Sequence, residues 1–325
     1  MRPIGFNLIF LTGILICLGS SCDQDDSAPA EYKQEMREFV QKISVYAKTS
    51  DADFLVIPQN GQELVTVDGI EDGEPEYDYL AAIDGVGRED LFYGFKRDND
   101  ATPANEKEYM LGFLLVCEQN GVEVLTTDYC WDHSKMDDSY QQNSQRDFIS
   151  FAAPDRELNT IPDYPIQAYE VNADDIHNLG EAKNFLYLLN PEQYADKEDY
   201  LGSLNGTDYD VIIIDLFFED EELSKSDIAS MKVKQNGARR LIIAYMSIGE
   251  AEDYRFYWQN FWKVGEPEFL EKENRQWRGN YKVKYWDPDW QAIILGGKNA
   301  YLDKILAAGF DGVYLDIIDA FEYFE

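Results

Sequence analysis

The stretch GFDGVYLDIIDAFEYF, residues 309–324, decides the fold because it joins an apolar strand pattern to acids at the strand's carboxyl end. The strand is predicted over Gly312–Ile318, and Asp316 and Asp319 mark its end. In a barrel of alternating strands and helices, catalytic groups lie at the carboxyl ends of the strands. Such a strand requires a crossover helix to reach the next parallel strand, yet little sequence follows it. We therefore expect the helix to come from elsewhere in the chain.

The opposite end of the chain supplies a suitable helix. Residues 31–48, EYKQEMREFVQKISVYAK, have the apolar spacing of an amphipathic helix and lead into a strand pattern at Phe54–Asn60. If this helix follows the C-terminal strand in space, the chain is a circularly permuted barrel. The predicted fold class is accordingly α/β, a (β/α)8 TIM barrel whose chain starts at the helix after strand 5 and ends at strand 5.

Strand and helix patterns alternate along the rest of one predicted domain, residues 31–325. Continuous apolar runs such as VIII and LIIA indicate strands buried on both faces, as in a parallel sheet covered by helices. The other predicted strands are Leu80–Asp90, Val122–Asp128, Asn184–Leu189, Asp210–Phe218, Leu241–Ser247 and Tyr281–Trp286, with a short apolar piece at Phe148–Ala152. Long helices are predicted over Lys107–Gln119 and Trp290–Ala308. Residues 159–181 are weakly periodic and are interpreted as the splice between the original C-terminus and the original N-terminus.

The N-terminal segment has the pattern of an export leader. Arg2 precedes an apolar run and a small-residue approach to Cys22, so residues 1–21 are interpreted as a lipoprotein signal peptide. Residues 22–30 are then an acidic linker after a lipidated cysteine. We expect a cell-envelope protein that is lipid-anchored to the outer membrane and exposed at the surface. The alternative is a plain secretory leader followed by a solvated linker.

The formal net charge of −35 restricts the possible partners. Such a surface repels nucleic acid and anionic membranes and favours a cationic ligand, although the acidity can also serve solubility alone. We expect membrane contact only through the N-terminal lipid, and a monomer. With few histidines and no glycine-rich phosphate loop, no cofactor and no metal are expected. Cys117 and Cys130 fall on a helix and the following strand, so no disulfide is expected.

Several longer motifs resemble glycoside hydrolase family 114. They are IIAYMSIGEAEDYRFYW (242–258), WDPDWQ (286–291) and the C-terminal stretch. VIPQNG (56–61), AIDGVGREDLFYG (82–94) and VEVLTTDY (122–129) resemble the family's sixth, seventh and eighth strands, but they precede the usual first strand at AKNFLYLLN (182–190). This order is what a permutation predicts, since domain termini often lie close together. The resemblance implies a (β/α)8 barrel and endo-α-1,4-polygalactosaminidase activity.

Asp316 and Glu89 are the candidate catalytic pair. Strand alternation directs Tyr314 and Asp316 into the barrel, and Glu89 ends a strand whose small neighbours Gly85 and Gly87 leave open space beside it. Glycoside hydrolysis uses two carboxyl groups, one of which protonates the leaving oxygen. The resemblance implies that Asp316 is the nucleophile and Glu89 the general acid/base. The alternatives are a buried salt bridge for Asp316 and a solvated loop position for Glu89.

A second set of polar and aromatic residues is predicted to contact the substrate. Its members are Asp215, Glu250, Asn60, Asp319, Tyr93, Tyr314, Trp286 and Arg255. For the charged members the alternative is a structural ion pair, and for the aromatic members it is packing at the barrel end. An acidic mouth with an aromatic floor fits a polysaccharide or oligosaccharide of cationic amino sugars.

Two functions compete for this sequence. The first is an endo-glycosidase that cleaves α-1,4-linked galactosamine or N-acetylgalactosamine polysaccharide with the Asp316–Glu89 pair. The second is a non-catalytic glycan-binding surface lipoprotein with the same barrel. The presence of both acids favours the enzyme. A metal-dependent deacetylase is disfavoured because His133 and His177 lack neighbours at metal-ligand spacing.

Overall fold

Buried strands and amphipathic helices alternate along residues 32–325, the part of the chain that the computed structural model describes. The strands are β1 (Leu55–Pro58), β2 (Gly85–Glu89), β3 (Glu123–Tyr129), β4 (Ile149–Ala153), β5 (Phe185–Leu188), β6 (Val211–Ile214), β7 (Phe217–Phe218), β8 (Glu221–Glu222), β9 (Leu241–Ser247), β10 (Glu250–Glu252), β11 (Leu270–Glu273), β12 (Asn280–Val283) and β13 (Gly312–Asp316). The α-helices are α1 (Tyr32–Ser50), α2 (Tyr77–Leu80), α3 (Ala104–Gln119), α4 (His133–Ser144), α5 (Lys197–Asn205), α6 (Lys225–Met231), α7 (Pro288–Ile294), α8 (Tyr301–Ala308) and α9 (Phe321–Phe324).

The central strands are parallel and lie in two sheets. One has the order β1-β13-β9-β6-β5 and the other the order β2-β3-β4. Isolated parallel bridges connect the sheet edges, from Gln59 after β1 to Gly87 in β2, and from Ser150 in β4 to Asn184 before β5. The molecule is therefore a mixed α/β protein with a mostly parallel central sheet, and the carboxyl ends of these strands share one side.

Helix α1 confirms the amphipathic pattern at the start of the domain. Its buried apolar residues recur every three or four positions, so one face of the helix packs on the core. They are Met36, Phe39, Val40, Ile43 and Ala47. The helix begins beside the end of the chain, where the Lys33 ammonium lies 2.7 Å from the Glu325 carboxylate. The Tyr32 and Phe324 ring centroids are 5.5 Å apart.

The predicted barrel strand at Tyr281–Trp286 is wrong. The strand found there, β12, pairs antiparallel with β10 and β11 in a separate sheet, and β13 pairs directly with β9. The physical reason is visible in the sequence YKVKY, where apolar and charged residues alternate, as they do in a strand with one wet face. Consequently β13 is the fourth strand counted from β5, and the prediction that the chain ends at strand 5 is wrong as well.

Other boundaries shift for local reasons. The unassigned apolar piece near Phe148 forms β4, and the predicted strand Leu80–Asp90 shortens to β2 because the end of α2 and the turn after it occupy residues 80–84. The helix predicted over Trp290–Ala308 divides into α7 and α8. Gly296 and Gly297 lie between them, and Gly296 adopts a φ of 104°, which interrupts a helix. The proposed splice, 159–181, contains only one short 3₁₀ turn, Leu179–Glu181.

Features outside the parallel sheet complete the description. Within residues 32–325, none of the helices combines the length and the apolar character that crossing a bilayer requires. Cys117 and Cys130 are both free and buried. The predicted leader and the lipidated Cys22 lie outside the described residues.

Candidate active site

A cavity of about 610 Å³ opens among the carboxyl ends of the parallel strands. Polar residues that follow or end these strands form most of its wall. The predicted site residues that line it are Glu89, Asn60, Asp215, Glu250, Arg255, Asp316 and Asp319. The segments that follow the parallel strands thus bring residues from both halves of the described chain to one cavity.

Asp316 is the last residue of β13 and is partly exposed to the cavity. Its Oδ2 accepts a hydrogen bond of 2.7 Å from the Tyr245 hydroxyl on the adjacent strand β9. Burial, and next the negative charge of Glu89, raise the pKa of Asp316 to about 7. Asp316 therefore takes up a proton near neutral pH.

Glu89 is the last residue of β2, and its carboxylate is held from two sides. One oxygen accepts a hydrogen bond from the Tyr129 hydroxyl, and the other accepts one of 3.0 Å from the Asn60 side-chain amide. The Glu89 backbone N–H in turn donates to Asn60 Oδ1 over 3.2 Å. Asn60 has a φ of 62°, a left-handed conformation that asparagine tolerates better than most residues. Asn60 is thus a positioning residue for Glu89.

The two acids stand on strands that flank β1, so they lie two strands apart. A carboxyl that holds its proton near neutrality is suited to general acid catalysis. Here that group is Asp316, on which burial and the charge of Glu89 act together. This differs from the roles implied by the family resemblance, in which Asp316 is the nucleophile and Glu89 the acid.

Tyr314 occupies the space that the sequence left open beside Glu89. A Cβ added to Gly87 would lie 1.9 Å from the Tyr314 hydroxyl oxygen, so the tyrosine reaches across to β2. The Tyr314 side chain is fully buried, and its ring centroid lies 5.2 Å from that of Tyr187. Tyr314 does not line the cavity and offers no open face for a sugar, so the alternative of packing describes it.

Arg255 ties two carboxylates together on the opposite wall. Its guanidinium lies 2.6 Å from Asp215 Oδ2 and 2.5 Å from Glu252 Oε2. The Tyr254 hydroxyl donates a further hydrogen bond of 2.6 Å to Glu252. Burial raises the pKa of Asp215, and the charge of Arg255 opposes that rise. The structural ion pair that the sequence left open for Asp215 and Arg255 is therefore present, within the cavity wall.

Asp319 lies one turn beyond Asp316 and also faces the cavity. Burial, and next the charges of Glu322 and Glu89, raise the pKa of Asp319 to about 6. Between the two aspartates, Ile317 adopts a φ of 58°, which is strained for a β-branched residue. This kink ends β13 and directs both aspartates toward the same opening.

Two predicted aromatic contacts, Tyr93 and Trp286, do not line the cavity. The Tyr93 hydroxyl donates to Asp138 over 2.7 Å. Trp286 packs against Tyr32 and Phe324 at centroid distances of 5.2 and 4.7 Å, so it lies between α1 and α9. The alternative of barrel-end packing describes both residues.

Sequence reasoning missed several residues of the wall. Tyr129 could have been predicted, because it is the last residue of β3 and strand alternation directs its side chain inward. Arg156, which stacks 4.1 Å over the Tyr129 ring, lies in an irregular stretch and gave no such indication. Trp277 and Arg278 lie between β11 and β12, which the sequence did not predict as a hairpin.

The cavity wall is acidic in its own right. Its charged residues are eight acids, Glu89, Glu192, Asp215, Glu219, Glu250, Glu252, Asp316 and Asp319, and three arginines, Arg156, Arg255 and Arg278. Arg156 is paired with Asp90 and Asp98, each at 2.6 Å, and Arg255 is paired as described above. A cationic ligand is therefore favoured locally as well as by the whole surface. Among residues 32–325, no three His, Cys, Asp or Glu side chains are grouped so that they would hold a metal ion.

A family model described as glycoside-hydrolase family GH114 matches residues 170–325. This segment contains β5, β6, β9 and β13 and therefore Asp316. Glu89 and Asn60 precede it.

Three curated relatives match between 38% and 47% of this chain. An uncharacterised protein of Methanocaldococcus jannaschii is 42% identical over 153 residues, which are 47% of this chain and 42% of that protein. One of Deinococcus radiodurans is 43% identical over 122 residues, 38% of this chain and 37% of that protein. One of Thermotoga maritima is 38% identical over 140 residues, 43% of this chain and 40% of that protein. The chain thus spans less than half the length of each of these relatives.

Proposed function

Because residues 170–325 make this chain a member of glycoside hydrolase family GH114, we propose that it is an endo-acting hydrolase of α-1,4-linked galactosamine or N-acetylgalactosamine polysaccharide. The observation that carries the proposal is the Asp316–Glu89 pair. Both carboxyl groups line one cavity, and the charge of one contributes to the raised pKa of the other. Glycoside hydrolysis requires such a pair, with one member protonated and the other ionised.

The proposal includes a closed and permuted barrel. The bridges Gln59–Gly87 and Ser150–Asn184 support closure, because they connect the free edges of the two parallel sheets. The family match supports the permutation, since it begins at residue 170 while β1–β4 precede it. In this arrangement the chain starts at the helix after the fourth strand, counted from β5, and residues 159–181 form the splice.

In the proposed reaction, Asp316 protonates the glycosidic oxygen of the leaving sugar. Glu89, held by Tyr129 and Asn60, acts as the ionised partner on the reacting carbon, directly or through a water. The acidic wall stabilises the positive charge of an amino-sugar polymer. Activity should therefore fall as pH rises through about 7, where Asp316 loses its proton.

The first test is cleavage of a panel of galactosamine and N-acetylgalactosamine polymers by the lipid-free protein. Asp316→Asn and Glu89→Gln should each reduce release of oligomers by about a hundredfold or more. Asp53→Asn, at an exposed position before β1, is the matched control and should leave cleavage unchanged. Inertness of the unmodified protein across acidic and neutral pH would favour the glycan-binding function without turnover.

A second experiment assigns the two roles. Removal of a general acid is tolerated by substrates whose leaving group needs no proton, so Asp316→Asn should retain activity on aryl glycosides with an acidic phenol. Glu89→Ala should instead regain activity when azide replaces the missing carboxylate. The reverse pattern would restore the assignment that the family resemblance implies.

We also propose that the protein is attached to the outer membrane through Cys22 and faces the cell surface. The support is the leader pattern of residues 1–21 and the acidic segment that follows. Metabolic labelling with a fatty-acid analogue should mark the unmodified protein and spare Cys22→Ala. Labelling of both proteins, or of neither, would contradict the anchor.

A further inference from the structure

The antiparallel sheet β10-β12-β11 forms one wall of the cavity. It stands outside the parallel strands, in the segment that follows β9. β10 begins shortly after Ser247, the residue that pairs in register with Asp316. Because β13 lies between β9 and β1, this wall is on the side of Asp316 away from Glu89.

Glu250, the first residue of β10, is a buried carboxylate with one uncommitted oxygen. Its side chain lines the cavity although the residue is only 1% exposed. Oε1 accepts a hydrogen bond of 2.9 Å from Asn274 and lies 3.5 Å from the Lys282 ammonium. Oε2 has no hydrogen-bond partner among the described residues. A buried carboxylate oxygen is unfavourable unless a donor reaches it, and the cavity is where such a donor would enter.

Trp277 lies on the hairpin between β11 and β12 and lines the same cavity as Glu250. The hairpin is held in place because Asn274 N–H donates to the Asn280 carbonyl over 2.7 Å. Asp253 N–H donates to the Gly279 carbonyl over 2.8 Å. The indole remains 48% exposed while it lines the cavity. An exposed aromatic face on a fixed hairpin is suited to stack on a sugar ring or to attract a cation.

We propose that Glu250 and Trp277 form a second sugar-binding subsite, on the Asp316 side of the cavity, that selects a sugar carrying a positively charged amino group. The inference rests on the proposed function, since it identifies where that site recognises its substrate. The ammonium donates a charge-assisted hydrogen bond to Glu250 Oε2, and Trp277 covers the ring. An N-acetyl group in the same position carries no charge to offset the buried carboxylate.

The test is oligosaccharide binding by Asp316→Asn protein, measured by calorimetry with galactosamine oligomers and their fully N-acetylated counterparts. Adding Glu250→Gln should weaken binding of the cationic oligomers by about tenfold or more and leave binding of the acetylated oligomers nearly unchanged. Adding Trp277→Ala, at an exposed position that the fold tolerates, should weaken binding of both. Glu266→Gln is the matched control, because that side chain is 73% exposed and lies outside the cavity wall.

The outcomes separate the two proposals. If Glu250→Gln, shown to be folded by thermal unfolding, affects both oligomers equally or neither, the subsite is rejected whether or not the unmodified protein cleaves. The same holds if Trp277→Ala leaves binding of both oligomers unchanged. A preference for cationic oligomers that depends on Glu250, in a protein that cleaves nothing, supports the subsite and rejects the hydrolase. Binding of neither oligomer rejects both.

Discussion

At the scale of single residues, the site depends on where one proton resides. Asp316 and Glu89 are brought close enough that the charge of one affects the protonation of the other. The sequence allowed both acids to be predicted, because each lies at the carboxyl end of a predicted strand. It did not allow the proton to be assigned, since that depends on burial and on the partners Tyr245, Tyr129 and Asn60.

Because the pKa of Asp316 is raised, we predict that the free energy of unfolding is smaller at neutral pH than at acidic pH. Between the ordinary value of 3.8 and about 7, the folded protein binds a proton that the unfolded chain has released. Stability therefore falls as pH rises through this window. Asp316→Asn removes the effect, so the variant should be more stable than the unmodified protein by about 1–3 kcal/mol at pH 8. At pH 4 the difference should vanish.

Urea unfolding at these two pH values measures the difference. Asp53→Asn serves as the control, because it makes the same substitution at an exposed position outside the cavity. Equal stability of Asp316→Asn and the unmodified protein at pH 8 would show that Asp316 is ionised in the folded state without penalty.

At the scale of elements, the sequence predicted what periodicity encodes. Helix α1 and strand β9 were found where the apolar spacing placed them, since each buries a continuous face. The sequence analysis assigned β12 to the parallel sheet, although its alternation of apolar and charged residues is typical of an antiparallel strand with one solvent-exposed face. The division between α7 and α8 depends on a backbone conformation at Gly296 that periodicity does not report.

The contact between β2 and β13 gives a prediction at this scale. Gly87→Ala should destabilise the protein by about 1–3 kcal/mol, because the added methyl group overlaps the Tyr314 side chain. In a Tyr314→Leu background the penalty should shrink, since the shorter side chain leaves room. Gly202→Ala in α5 is the matched control, because nothing lies within 4 Å of its added Cβ. Equal penalties for Gly87→Ala in both backgrounds would show that Tyr314 does not fill this space.

At the scale of the whole molecule, the first described helix lies next to the C-terminal residues, and the site draws on both halves of the described chain. The Lys33–Glu325 ion pair and the packing of Tyr32 on Phe324 hold α1 next to the end of the chain. Asp316 comes from near one end, whereas Glu89 and Asn60 come from the other half. The family resemblance predicted that the two halves of the sequence occur in permuted order. It did not predict the position of β13 correctly, because β13 pairs directly with β9 and is the fourth strand counted from β5, not the fifth.

A rearranged chain tests this arrangement. A short linker from Glu325 to Tyr32, with new termini opened within residues 159–181, should give a protein that folds and retains activity, because only irregular backbone is cut. Opening the same linked chain inside β3 should prevent folding, since that strand pairs on both sides. Circular dichroism and cleavage assays report both results. Loss of folding in the first rearrangement would contradict the proposed splice.

The central claim is that Asp316 and Glu89 act on one glycosidic bond, and a crystal structure of Asp316→Asn protein with a bound galactosamine oligomer tests it most directly. We expect one glycosidic oxygen within hydrogen-bonding distance of the side chain at position 316, with the adjoining anomeric carbon facing the Glu89 carboxylate. An oligomer bound elsewhere, or one that reaches only one of these two side chains, would contradict the claim.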